Sequence, residues 1–123
     1  MIKLTFCLRR KPGMSKDDFH DYWRNKHAPL VKSHRGALNI ARYVQTHNLE
    51  NTEFNSAIQD SRNAPEPYDG VAELWWNSWD DLRKAIETED GRKAGIALLK
   101  DEATFIDLEN SPLWYNEEHE IFS

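Results

Sequence analysis

Ile2, Leu4, Phe6 and Leu8 alternate with Lys3, Thr5, Cys7 and Arg9, a period of two that predicts a first strand. Lys11-Pro12-Gly13 ends it. Ser15 and Asp18 then form an S-x-x-D start, an acidic variant of the capping box, with Met14 and Phe19 at the staple positions on either side. Phe19, Tyr22, Trp23, Lys26 and His27 follow helical spacing. Pro29 disfavours helical backbone at Ala28, so this helix is expected to break or kink near His27. Pro29 can also open a short second helix, Leu30 to Arg35, with Gly36 ending it.

Ile40 to Asn48 reads as a second strand. Leu49 to Pro67 is polar and reads as a surface excursion with a turn or two of helix near Phe54 to Asp60. Gly70 to Trp76 is a third strand, and Ser78-Trp79-Asp80-Asp81 repeats the capping form before a helix through Ile86. Glu89-Asp90-Gly91 reads as a turn, Ala94 to Leu99 as helix, and Asp101 to Asp107 as its short continuation, broken by Ser111-Pro112. Leu113 to Phe122 is the fourth strand. The order strand, helix, strand, twice over, is the split βαβ or ferredoxin-like pattern: one α+β domain over 1–123 with a four-stranded antiparallel sheet and helices on one face. The other face also carries apolar groups. A second copy of the chain is the economical cover, so a homodimer forming a dimeric α+β barrel is expected.

The length of 123 residues suits one domain, and 39% hydrophobic with 30% charged residues marks a globular chain. A formal charge of -5 argues against a nucleic-acid partner. Cys7 is the sole cysteine, which excludes an intrachain disulfide and a Cys-based zinc cage and suits a reducing compartment. With no membrane span or signal-peptide pattern in the sequence, a cytoplasmic location is the default expectation. Five Trp, four Tyr and five Phe are many rings for this length, and suit either a ring-rich core or an apolar pocket.

The chemistry-bearing candidates are few. His27 lies four residues from Trp23 on the helix face that begins with Phe19, beside the break that Pro29 implies. It reads either as a core histidine bonded to a backbone carbonyl or as a titratable group beside a pocket. Glu73 shares a strand face with Val71 and Trp75, and is either a partly buried carboxyl or the partner of Arg42 or Lys3 on a neighbouring strand. Tyr43 and His47 share one face of the second strand and can serve the same cavity or a dimer seam. His20 and His27 are seven apart and form no H-x-x-x-H pair, so no metal is expected. The five glycines are scattered and make no phosphate loop.

Several segments together resemble the EthD family over almost the whole chain. They are Arg9-Arg10-Lys11-Pro12-Gly13-Met14-Ser15, Phe19, Tyr22-Trp23, His27-Ala28-Pro29-Leu30, Arg42-Tyr43-Val44-Gln45 with His47, Tyr68 to Trp75, and Asp101-Glu102-Ala103 with Phe105-Ile106-Asp107. The resemblance implies the dimeric barrel, a pocket between sheet and helices, and His27 as the leading functional residue. It also implies diverse chemistry: decarboxylases or dehydratases of aromatic polyketides, accessory proteins of ether catabolism, and, in the wider superfamily, cofactor-free monooxygenases, muconolactone isomerases and haem-degrading enzymes. The expectation is a cofactor-independent lyase for an apolar aromatic or polyketide-like molecule. In it His27 is the general acid/base, and Trp23, Tyr22, Tyr43, Glu73 and Trp75 bind the substrate. The alternatives are a binding or accessory module without turnover and a cofactor-free monooxygenase.

Overall fold

The computed structural model describes residues 1–49 and 52–123. Its sheet contains β1 (Ile2–Leu8), β2 (Arg42–His47), β3 (Gly70–Trp76) and β4 (Leu113–Glu117), all antiparallel, in the order β2-β3-β1-β4. The helices are α1 (Lys16–Tyr22), α2 (Ala28–Ser33), α3 (Glu53–Ser61), α4 (Trp79–Glu87) and α5 (Glu89–Phe105), with a π-helical turn at Trp23–His27 between α1 and α2 and a short 3-10 turn at Leu108–Asn110. This is the ferredoxin-like arrangement the element order predicts.

Local chemistry accounts for the element starts. Ser15 Oγ accepts from the Asp18 N–H and Ser78 Oγ from the Asp81 N–H, the two caps read from the sequence. Gly13, at φ 86, takes the left-handed position of the turn that closes with Met14 N–H donating to the Lys11 carbonyl. Buried Asp69 ties this loop to the head of β3, accepting from the Arg10 backbone N–H at 2.8 Å and from its guanidinium at 2.6 Å.

Three sequence expectations need correction. The helix does not break before Pro29: Ala28 keeps helical angles (φ -58, ψ -43) and its N–H bonds to the Trp23 carbonyl, five residues back. Proline has no N–H to continue the ordinary ladder, and one π turn absorbs the mismatch while α2 proceeds. Glu89-Asp90-Gly91 is no turn but the first turn of α5: Thr88 Oγ1 caps it by accepting from the Gly91 N–H. The fourth strand stops at Glu117 rather than Phe122, because Glu117 already pairs with Ile2, the first residue of β1. The polar excursion does carry a helix, α3, which buries none of its residues; Glu50 and Asn51 of that excursion lie outside the described residues.

Strand parity sorts the side chains. Leu4, Phe6, Leu8, Tyr43, Ala72, Leu74 and Trp76 point to the helix side. One cluster there joins Phe6, Leu8, Phe19, Trp23, Ala72, Phe105 and Ile106; a second joins Ile2, Val31, Ile40, Trp76, Leu82 and Leu98. Gly70 lets the first cluster close, since a Cβ there would sit 2.4 Å from the Trp23 ring and 2.7 Å from the Thr46 carbonyl. Lys3, Glu73, Trp75 and Arg42 occupy the opposite face, where both cations lie over the Trp75 ring.

Candidate active site

The two core clusters do not fill the space between sheet and helices. A cavity of about 550 Å³ remains, walled by Leu4, Phe6, Leu74 and Trp76 from the sheet, Trp23 and Val31 from the α1–α2 arm, and Leu98 and Leu99 from α5. Among mainly apolar walls, the polar side chains that reach it are His27, Tyr43, Arg92, Glu102 and Tyr115. Its size and character are those of a small-molecule site.

His27 is the last residue of the π turn and is 5% exposed. Its ring packs 5.0 Å from that of Phe105, which is fully buried. Its Nδ1 lies 2.7 Å from Asp101 Oδ2 on α5. An ionised carboxylate only accepts, so Nδ1 carries the proton and donates, which leaves Nε2 as the unprotonated nitrogen. Burial lowers the His27 pKa below its ordinary value, against the opposing pull of the Asp101 charge, so the ring is neutral near pH 7. The other Asp101 oxygen accepts from the Tyr22 hydroxyl at 2.5 Å. Asp101 therefore holds two groups of the α1–π-turn arm at once and fixes the histidine's tautomer and orientation.

Gln45 braces the site from β2. Its Nε2 donates to the Trp23 carbonyl at 2.9 Å, the same carbonyl that closes the π turn, and to the Tyr43 hydroxyl at 2.7 Å. Its Oε1 accepts from His47 Nε2 at 2.8 Å, and the His47 ring stacks on Trp23 with centroids 4.4 Å apart. Burial raises the Tyr43 pKa and lowers that of His47, so both are neutral at pH 7.

The structure divides the sequence-predicted residues into two groups. His27, Trp23 and Tyr43 line the cavity. Tyr22 stands behind His27 through Asp101 and does not line it. Glu73 and Trp75 are on the other face of the sheet, away from the cavity, because β3 residues of odd number face outward. Glu73 pairs there with Lys3, one of the two partners its position in the sequence allowed, and the Trp75 indole N–H donates to Glu118. His47 supports Trp23 through the stack and does not line the cavity.

Sequence reasoning passed over Asp101 and Glu102 as site residues. Their signal was present in spacing: Ala94, Leu98 and Phe105 mark the buried side of α5, and 101 and 102 fall on that same side. Acidic residues at core-facing helix positions ask for partners, and Asp101 has two.

A ferredoxin-like sheet with a histidine–carboxylate pair at an apolar cavity between sheet and helices defines a class of small α+β proteins with a candidate ligand pocket. Within that class the chain belongs to the EthD domain family, whose model matches residues 11–109. Over 48 residues it is 42% identical to a conidial pigment biosynthesis dehydratase EthD of Metarhizium robertsii, covering 39% of this chain and 34% of that protein. Over 49 residues it is 39% identical to a decarboxylase of Passalora fulva, covering 40% of this chain and 32% of that protein. The chain thus spans about a third of the length of these curated relatives. Among solved structures, an EthD family protein of Bacillus halodurans superposes with a TM-score of 0.62 at 22% identity, covering 97% of this chain and 99% of that one. A dimeric ferredoxin-like protein of Thermobifida fusca superposes with a TM-score of 0.57 at 13% identity, covering 94% and 88%. These likenesses establish the fold.

Proposed function

We propose that the protein is a cofactor-independent lyase, of the dehydratase or decarboxylase type, acting on an apolar aromatic or polyketide-like small molecule. The observation that carries this reading is the His27–Asp101 pair: a neutral imidazole at an apolar cavity, its tautomer fixed by a carboxylate behind it. Such a group is suited to moving a proton to or from a bound carbon or oxygen near neutral pH. Trp23 and Trp76 supply flat walls for a ring system, and the Tyr43 hydroxyl, which accepts from Gln45, keeps its own proton to donate to a substrate oxygen. The names of the partial relatives, a dehydratase and a decarboxylase, agree with this class of chemistry.

The assembly is proposed as a homodimer built through the outward face of the sheet; the Thermobifida fusca neighbour, itself dimeric, supports a dimer. On that face the Lys3–Glu73 pair and the Lys3 and Arg42 cations over Trp75 would meet their copies, with half-exposed Trp114 beside them. Light scattering at micromolar concentration should give twice the chain mass; a stable monomer would remove the dimer.

The catalytic reading is tested by turnover of aromatic polyketide-type hydroxy ketones and carboxylic acids, followed by mass spectrometry. His27→Ala should cost at least about a hundredfold in rate. A ligand that binds tightly and returns unchanged would favour a binding module instead. A variant without His27 that keeps full rate would exclude His27 from the mechanism.

A further inference from the structure

Asp101 and Glu102 are neighbours on α5 in opposite circumstances. Asp101 accepts two short hydrogen bonds, from the His27 Nδ1–H and the Tyr22 O–H. Half-buried Glu102 lines the apolar cavity and, among the described residues, no donor or cation bonds its carboxyl; since no buried polar atom is left unsatisfied, its carboxyl oxygens stay accessible from the cavity. The charged and titratable groups that share its surroundings are Asp101 on its own helix, His27 on the π turn, Tyr43 on β2, Tyr115 on β4, and Arg92 ten residues earlier on α5. Ten helical residues place the Arg92 backbone roughly 15 Å away, and the Arg92 guanidinium is engaged by the Glu87 carbonyl at 2.8 Å.

We propose that Glu102 is the general acid of this site, partnering His27 as base, and that the reaction is loss of water from a cyclic β-hydroxy ketone fused to an aromatic ring. This rests on the lyase reading above and narrows it. Two carboxyls side by side, one fully served by donors and one in an apolar wall, settle into one charge and one proton. Burial and the Asp101 charge raise the Glu102 pKa to about 7, so it keeps its proton up to about neutral pH, where His27 has already lost its own.

A dehydration uses both groups. The C–H bond beside the ketone breaks, its proton passes to His27 Nε2, and its electron pair forms the new C=C bond. The C–O bond breaks with its pair on oxygen, which takes the Glu102 proton and leaves as water. Proton transfer from imidazolium to carboxylate then restores the site. The Tyr43 hydroxyl can donate to the ketone oxygen and so favour release of the carbon-bound proton. A decarboxylation needs one proton delivered to carbon and has no departing hydroxide to neutralise. The second acid is what selects dehydration.

The test combines a titration with a rate. In protein carrying carboxyl-labelled glutamate, carbon NMR should show one side chain titrating near 7, absent in Glu102→Gln. A β-hydroxy tetralone, which becomes a naphthol on losing water, is the probe for turnover. The wild type should accelerate that loss and fall off in rate above about pH 7, where Glu102 ionises. Glu102→Gln should lose about a hundredfold or more and also lose that alkaline limb, with its thermal unfolding unimpaired. Titration of Glu102 among the ordinary glutamates, a full rate in Glu102→Gln, or no acceleration by the wild type would each overturn the proposal. If His27→Ala is inactive on the probe while Glu102→Gln is not, the inference falls and the lyase reading stands; if both variants keep full rate, both fall.

Discussion

The two faces of one sheet are built from alternate residues of the same strands and do different work. On the helix side, Tyr43, Gln45 and His47 alternate into a hydrogen-bonded brace for Trp23 and the π turn. On the opposite side, Lys3, Arg42 and Glu73 surround Trp75. Both faces are rich in aromatic and titratable groups. What separates them is partnering: on the outer face the charges meet one another, whereas on the inner face Glu102 has no partner among the described residues and His27 has one committed nitrogen and one unprotonated one. Reactivity follows groups left unsatisfied at a cavity rather than the number of polar side chains.

That contrast can be broken most severely at Gly70. Gly70→Val places a branched side chain where the Trp23 ring and the Thr46 carbonyl already stand, and should destabilise the fold by about 3 kcal/mol or more, read by denaturant unfolding. Next comes Asp101→Asn, which keeps the shape but removes the charge and lets an amide donor face Nδ1. It should lower turnover by about a hundredfold, with a smaller loss of binding, since it acts on the histidine's tautomer.

Glu102→Gln should alter the pH dependence of stability. A carboxyl whose folded pKa is raised stabilises the fold fully below its unfolded value, and that contribution is lost as pH rises toward the folded value of about 7. The variant should therefore gain on the wild type by about 1–3 kcal/mol between acid and pH 8. The smallest effect belongs to the outer face. Glu73→Gln, on the face proposed as the dimer seam, should change turnover less than about twofold and stability by about 1 kcal/mol, as for a partly screened pair. A large loss of turnover there would mean that the two faces are not functionally separate.

How far the sequence could be read follows from which features are local. The Ser15 and Ser78 caps, the period of β1 and the two-part element order depend on residues within a few positions of each other, and all appear in the structure. Glu89-Asp90-Gly91 has the composition of a turn, but the Thr88 cap and the close approach of the Ala85 carbonyl to Gly91 make it a helix start. That approach is made at the tight junction of α4 and α5, whose geometry composition does not reveal. The alternation in β3 was legible, but Val71, Ala72, Leu74, Trp75 and Trp76 are apolar on both sides of this central strand. The pattern thus gave Glu73 and Trp75 a shared face without telling which face met the helices. His27 was legible from its spacing to Trp23. Its partner Asp101 lies 74 residues away, and only the packing of α5 against the π turn brings the two together.

The central claim is that Asp101 fixes His27 as a neutral, Nδ1-protonated base. Nitrogen–proton NMR of histidine-labelled protein tests it most directly. At pH 7 the account predicts His27 neutral, with the proton on Nδ1 and Nε2 unprotonated, and a titration midpoint below the ordinary 6.5. In Asp101→Ala the Nδ1 tautomer should lose its preference. A wild-type ring that is doubly protonated at pH 7, or that carries its single proton on Nε2, would contradict the account.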